Sequence, residues 1–460
     1  MKAFRCPNCG GEIRYDIGKK TMSCSFCGSE ITREDYTKYL NENGMYAANE
    51  LVCPQCGASV LSYDDTIASF CSYCGSPVTF MQNTVEDSKP DGVVPFEVTR
   101  EAAERLYDKR LNEAAIGPEW LRDKGDCKLV GIYMPYYVYD ARAHAHVKTT
   151  GQESTVHGDR TTVKEYEMEF DVDNSYEGTR FDAAKAFPDS LSETVDTFDP
   201  TQAKEFDVTY LAGFYADGGN VKEEAYRGIV EKLVESDVHS GFKYGSVSVK
   251  ANTAATETEI KAKKVLFPVW LATHKKGDRV CYAAINGQNG NVAAEIPIDR
   301  WKYLKLSVIV AAVLAVILNL IFTIRPDIFM WISAGILLLF GITLAKFARN
   351  VYVREHHLDD IGLIGEKKFY ESASASGGKW KFRVPASVTF KAWWKTLLGL
   401  LLFAAVIGSG TVEDIWFYGA AAANIALAVW SAIDLIKQQN LLSSRDIPVF
   451  SMKRGGDENG

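Results

Sequence analysis

The stretch LSVIVAAVLAVILNLIFTIRPDIFMWISAGILLLFGITLA, Leu306 to Ala345, decides how the rest of the chain is read. Leu306–Ile324 and Ile328–Ala345 carry no charged side chain, and only Arg325, Pro326 and Asp327 stand between them. Roughly 20 apolar residues rising ~1.5 Å each cross a ~30 Å hydrocarbon core. The stretch therefore predicts a transmembrane hairpin with a proline in its turn. A second pair, Thr396–Val412 and Ile415–Ile433, is joined by Glu413 and Asp414. The alternative, core helices of a large soluble protein, needs helices apolar on every face, and these are rare outside lipid.

Basic residues near the span ends set the orientation. Arg300, Lys302 and Lys305 precede the first span, and Lys346, Arg349 and Arg354 follow the second. Lys391 and Lys395 precede the third, and Lys437 and Arg445 follow the fourth. Both termini and the 346–395 loop are thus expected in the cytoplasm, with Trp301, Trp393 and Trp394 as an interfacial belt. The first ten residues contain no apolar run of the signal-peptide kind, so the first span is expected to direct insertion.

Working back to the N-terminus, eight of the ten cysteines form a repeat. Cys6-Pro7-Asn8-Cys9-Gly10 is followed by Cys24-Ser25-Phe26-Cys27-Gly28, and Cys53-Pro54-Gln55-Cys56-Gly57 by Cys71-Ser72-Tyr73-Cys74-Gly75. The two copies are offset by 47 residues, and 14 residues separate the paired turns in each. Each turn presents two thiolates to one metal, and two turns complete a closed tetrahedral site. So small a unit folds around its metal. Two zinc ions are expected, one on Cys6, Cys9, Cys24 and Cys27 and one on Cys53, Cys56, Cys71 and Cys74. Iron in a rubredoxin-like site shares this ligand set. Disulfides are not expected of cytosolic thiols.

Charge bears on the partner. Residues 1–90 carry 8 basic and 11 acidic side chains, 91–300 carry 26 and 36, and 301–460 carry 17 and 12. Leu51–Phe80 contains Asp64 and Asp65 but no Lys or Arg. A tetrathiolate centre adds negative charge, so this ribbon repels phosphate. The first ribbon has Lys2, Arg5, Arg14, Lys19 and Lys20. A cytosolic protein is the expected partner, and nucleic acid the disfavoured one.

The middle of the chain reads as an α+β domain. Lys128–Tyr139 is an apolar, aromatic strand that leads into a long hairpin returning through Thr161–Val172. Lys222–Ser236 is an amphipathic helix. Val247–Lys263, Val265–Thr273 and Arg279–Asn286 follow as strands. Tyr-Met-Pro-Tyr-Tyr at 133–137 echoes Leu-Phe-Pro-Val-Trp at 266–270. His144 and His146 share one strand face and with His157 could form a metal set, but no carboxylate or Cys is spaced to complete it, so the polar outer face of a hairpin is the favoured reading.

The ribbon pairs, Tyr133-Met-Pro-Tyr-Tyr-Val-Tyr-Asp140, Tyr210-Leu-Ala-Gly-Phe214, Phe267-Pro-Val-Trp-Leu271, Asn286-Gly287 and the C-terminal spans resemble a family of uncharacterised bacterial zinc-ribbon membrane proteins. That family is labelled only by its ribbon, as transcription-factor-B-type or primosomal-helicase-like. The resemblance covers most of residues 1–350 and implies an architecture, not an activity. The helicase part of that label is not supported, since there is no GxxxxGK[ST] phosphate loop. No GxSxG, HExxH or dinucleotide loop is present, and Cys127 and Cys281 are isolated among apolar neighbours, so no catalytic residue is assigned. No charge falls at mid-depth in a span, which disfavours transport. Gly419, Ala423 and Ala426 suggest a close-packing face on the last span.

The expected architecture is multidomain: two small four-cysteine zinc ribbons, a cytoplasmic α+β domain and an α-helical membrane domain of four spans. Its segments are ribbon 1 (1–30), a helical connector (31–50), ribbon 2 (51–80), a linker (81–94) and the α+β domain (95–303). The first transmembrane hairpin (304–347), a cytoplasmic loop (348–392), the second hairpin (393–436) and a cytoplasmic tail (437–460) follow. The expected role is a membrane-anchored scaffold recruiting a cytosolic protein. A membrane-tethered nucleic-acid binder and a rubredoxin-like electron carrier are the alternatives.

Overall fold

The proline-centred run at 133–137 and its echo at 266–270 pair with each other at the centre of the molecule. They belong to two long antiparallel strands, β1 (Leu129–His157) and β3 (Thr256–Lys276). Tyr133 lies opposite Pro268, Met134 opposite Phe267 and Pro135 opposite Leu266, so the echo is a local two-fold. Before its proline each strand carries a short parallel neighbour, Tyr215–Ala216 on β1 and Gly92–Val93 on β3. After it each gains a long antiparallel one, β2 (Arg160–Asp182) on β1 and β4 (Arg279–Asn286) on β3. Proline donates no ladder bond and is tolerated where the outer neighbour changes.

The computed structural model describes residues 4–43, 49–62, 68–79, 81–84, 90–123, 129–184, 187–219, 221–321, 326–356, 373–376, 379–382, 384–409 and 415–446. Cys127, Asp64, Asp65, Arg325, His357, Glu413 and Asp414 lie outside them. Within a 14-stranded sheet, the centre of β1 and β3 is covered on both faces. One face packs Leu129, Tyr133, Leu266, Trp270 and Ile285 with Cys6, Ile13, Tyr15 and Met22 of the first ribbon. The other packs Ile132, Met134, Phe267, Val269 and Tyr282 with Cys53, Cys56, Cys71, Tyr73 and Cys74 of the second. The two ribbons clasp opposite faces of one sheet. That accounts for the unbroken apolar run LVGIYMPYYVY: a strand buried on both faces does not alternate.

Farther along, β1 does alternate. Ala141, Ala143, Ala145 and Val147 pack on helix α1 (Glu224–Val238), while Arg142, His144, His146 and Lys148 stay exposed. Two expectations shift. Met81–Thr84, placed in a linker, is a strand pairing with Asn49–Val52. Val247–Lys263 is not one strand: Val247–Val249 pairs with Phe242–Tyr244, and β3 begins at Thr256.

Four apolar helices follow, α2 (Arg300–Ile321), α3 (Pro326–Glu355), α4 (Ala386–Ser409) and α5 (Ile415–Leu442). Among the described residues three helices are long and apolar enough to cross a membrane, within Met330–Glu355, Ala386–Gly408 and Ile415–Leu442. The first expected span, Leu306–Ile324, falls in α2, and its last residues lie outside the described ones. Val308, Trp331, Leu339, Leu401 and Trp416 are all more than half exposed. An apolar surface of this extent is foreign to a monomer in water.

The helices pack through small residues, though not those expected. A Cβ on Gly341 would meet the Thr396 hydroxyl at 2.5 Å, and one on Gly399 would meet Leu337 at 2.4 Å. On α5 the packed face is Phe417, Ala420, Ala421, Asn424, Leu427 and Ser431. Gly419 and Ala426 point outward, so the Gly419–Ala423–Ala426 face is not the contact.

The helix ends are stitched to the sheet. Arg445–Asp446, just after α5, pairs with Arg279–Val280 of β4. Glu295 Oε1 accepts from Arg354 at 2.8 Å and from Arg445 at 3.1 Å. Arg279 donates to Glu355 and Asp446, both at 2.7 Å. The Asn440 amide spans the Ile298 backbone, accepting from its N–H at 2.7 Å and donating to its carbonyl at 3.0 Å.

Candidate metal centres

All four Cys-x-x-Cys-Gly turns close in the same way. The leading cysteine N–H donates to the carbonyl five residues on, at 2.7 Å for Cys6 to Gly11, 3.0 Å for Cys24 to Ser29, 2.8 Å for Cys53 to Ala58 and 3.0 Å for Cys71 to Ser76. The glycine N–H donates back to that cysteine's carbonyl at 2.8 to 3.0 Å. Gly10, Gly28, Gly57 and Gly75 hold φ of +73°, +72°, +76° and +67°, where a Cβ is strained.

The turns bring the thiols together in fours. Cys6 Sγ lies 3.7 Å from Cys27 Sγ, and Cys9 Sγ 3.6 Å from Cys24 Sγ. In the second centre Cys53 and Cys74 are 3.9 Å apart, and Cys56 and Cys71 3.7 Å. A tetrahedron with Zn–S bonds of ~2.3 Å has edges of about 3.8 Å. Both thiol sets fit one metal ion each, and all four sulfurs of each set lie within 4.8 Å of one another. Four thiolates at this spacing repel unless a cation sits among them. The Ser29 hydroxyl and amide lower the Cys27 thiol to about 6, which favours the thiolate form that a metal takes as ligand.

The two centres differ in setting. Cys9 and Cys27 are exposed, while Cys53, Cys56, Cys71 and Cys74 are all buried. Position three of the last turn in each repeat makes the difference visible. Tyr73 is fully buried, and its hydroxyl donates to Asp217 Oδ2 at 2.7 Å. Its carbonyl accepts from the Tyr282 hydroxyl, and the Ser72 carbonyl accepts from Thr273. The equivalent residue in the first ribbon, Phe26, is 75% exposed, with one ring edge over Gly11.

The first ribbon docks by its other side. The Tyr15 amide donates to the Ala212 carbonyl at 3.1 Å, and Arg33 pairs with Asp207 at 2.8 Å while lying 4.1 Å over the Tyr210 ring. Three of its basic residues have acidic partners: Arg14 with Glu12, Lys19 with Glu30 and Lys20 with Glu97.

The histidine set does not assemble. His157 sits at the hairpin tip opposite Arg160, well away from His144 and His146. Carboxylates absent from the local sequence do arrive across the hairpin: Asp173 meets His144 at 2.7 Å, and Asp171 and Glu169 each meet His146 at 2.7 Å. The two nitrogens of His146 face different carboxylates, so the donors diverge instead of chelating. Among the described residues the cysteine quartets are the groups whose donor atoms converge. Cys281 is buried, and desolvation pushes its thiol up to about 12, so it is inert.

Hydrogen bonds from Asp171 and Glu169 raise the His146 pKa above 6.5, and Asp173 does the same for His144. These pairs support the hairpin fully below about pH 6.5, and their contribution fades as pH rises through the folded values. An NMR titration is expected to put His146 above 6.5, with Asp171→Asn lowering it. A value at or below 6.5 contradicts the pairing.

Paired four-cysteine centres clasping one sheet, stitched to a bundle of apolar helices, define the class of protein. The chain belongs to the family of the uncharacterised protein YdjG of Bacillus subtilis: the two are 32% identical over 316 residues, spanning 65% of this chain and 91% of that protein. No family model matches the chain, and no solved structure matches it.

Proposed function

We propose that this chain is a scaffold anchored in the cytoplasmic membrane by four spans, with both termini cytoplasmic and one zinc ion in each ribbon. The second ribbon is a keystone of the fold, and the first recruits a cytosolic protein. One observation carries this reading: Phe26 stands in solvent where Tyr73 is docked. The molecule itself demonstrates what an aromatic at this position does when a protein surface meets it. An exposed ring at the tip of a metal-stiffened turn is the kind of anchor that dominates protein interfaces. The pairing of Arg14, Lys19 and Lys20 with carboxylates removes the phosphate contacts that nucleic-acid binding needs.

The test is site-specific photocrosslinking in cells, with the probe at position 26 of the full chain and a control probe at Tyr244, which is also exposed. A discrete protein adduct from position 26 alone is expected. Phe26→Ala should keep its metal and weaken capture of that protein about thirtyfold, the loss of a ~2 kcal/mol hot spot. The same adducts from both positions, or none from 26, contradict recruitment by this turn.

A further inference from the structure

The ends of α3, α4 and α5 near the sheet line a half-open cavity of about 340 Å³ that the scaffold reading leaves unused. Its wall is apolar, from Leu344, Val351 and Val388, and its rim is charged, from Lys391, Lys395 and Asp434. The lining holds two lysines, Lys391 and Lys395, and two carboxylates, Asp434 and Glu355, and both carboxylates are engaged. Asp434 is shared by Lys395, whose side chain is only 4% exposed, and by Lys437 at 3.4 Å. Glu355, also on the rim, is engaged by Arg279. Among the described residues no carboxylate pairs with Lys391. Lys391 and Lys395 are one helical turn apart and so share a face. The Lys395 ammonium lies 4.3 Å over the Trp430 ring, and Trp430 meets Trp394 edge-on at 5.4 Å. Paired tryptophans beside lysines are what the interfacial depth of a bilayer selects.

We propose that this cavity seats one anionic phospholipid, its phosphate on Lys391 and Lys395 and an acyl chain along Leu344 and Val388. The proposal rests on the membrane reading above. A lysine with no carboxylate partner among the described residues, beside an apolar wall at headgroup depth, matches both ends of such a molecule, and a zwitterionic lipid brings its own cation to the phosphate.

The experiment is native mass spectrometry of the full chain, extracted from membranes in detergent and equilibrated with phosphatidylglycerol and phosphatidylcholine. Recovery in the soluble fraction without detergent defeats the membrane reading itself, before any lipid is weighed. Given membrane extraction, one phosphatidylglycerol per chain is expected in preference to phosphatidylcholine. Lys391→Gln should weaken its retention about fivefold, and Lys391→Arg should restore it. Lys391 is the decisive position because Lys395→Gln also strips Asp434 of its partner. Equal retention of both lipids, or no change in Lys391→Gln, overturns the proposal. Displacement of the lipid by millimolar inorganic phosphate also overturns it, assigning the site to free phosphate.

Discussion

Replacing Cys56 with serine is expected to leave the chain without its folded sheet domain, whereas Cys27→Ser disrupts one metal centre and keeps that domain. Cys56 is fully buried in a cluster continuous with Ile132, Met134, Phe267 and Tyr282 at the middle of the sheet. A structural zinc site is worth on the order of 10–16 kcal/mol in small zinc-binding peptides. A whole domain is stable by only about 5–15 kcal/mol. Losing one of the four ligands forfeits a share of that energy large enough to matter against the total, and it puts a serine hydroxyl in a buried site built for a thiolate. The first centre instead sits at the rim, with Cys9 and Cys27 in solvent. Limited proteolysis and near-ultraviolet circular dichroism of both full-length variants check this. Equal damage from the two substitutions contradicts the keystone role of the second centre.

Glu295→Gln is the second large effect. Its carboxylate lies between Arg354 and Arg445, and the three side chains are only 12%, 10% and 11% exposed. Neutralising this carboxylate removes the charge that two nearly buried guanidinium groups share, at a cost of about 3–5 kcal/mol. Because Arg354 ends α3 and Arg445 follows α5, the loss falls on the seam between helices and sheet. The Glu295 amide also donates to the Tyr282 carbonyl at 2.9 Å, and Tyr282 in turn holds the Tyr73 turn. The seam and the second metal centre thus share a strand. Thermal unfolding in detergent should fall by roughly 6–15 °C, with faster tryptic cleavage at Arg445. A shift of a degree or two means that the ion pairs are solvated and the seam is held elsewhere.

The metal quartets were legible because their chemistry is local: two turns of fixed spacing carry all four donors, and a glycine forced into positive φ follows each. The central strands were legible for a similar reason, since LVGIYMPYYVY can be buried on both faces and little else. What the sequence concealed was long-range. Glu295 meets Arg445 across 150 residues, and nothing in either neighbourhood marks the pair. The carboxylates on His144 and His146 come from a returning strand whose register no spacing rule specifies. The lack of Lys and Arg from Leu51 to Phe80 bears on burial as much as on nucleic acid. It is the signature of a ribbon built into a core, where an unpaired ammonium is costly. The exposed first ribbon, by contrast, carries three of its basic residues as surface ion pairs.

Both centres depend on contacts with the sheet, so the decisive measurement belongs to the full chain and not to an isolated N-terminal fragment. Metal content and the visible spectrum of the protein purified from membranes decide what the two quartets hold. Two zinc ions per chain and no visible absorption are expected. One metal or fewer, or iron with a thiolate charge-transfer band, contradicts this and turns the exposed first ribbon into a site for electron transfer.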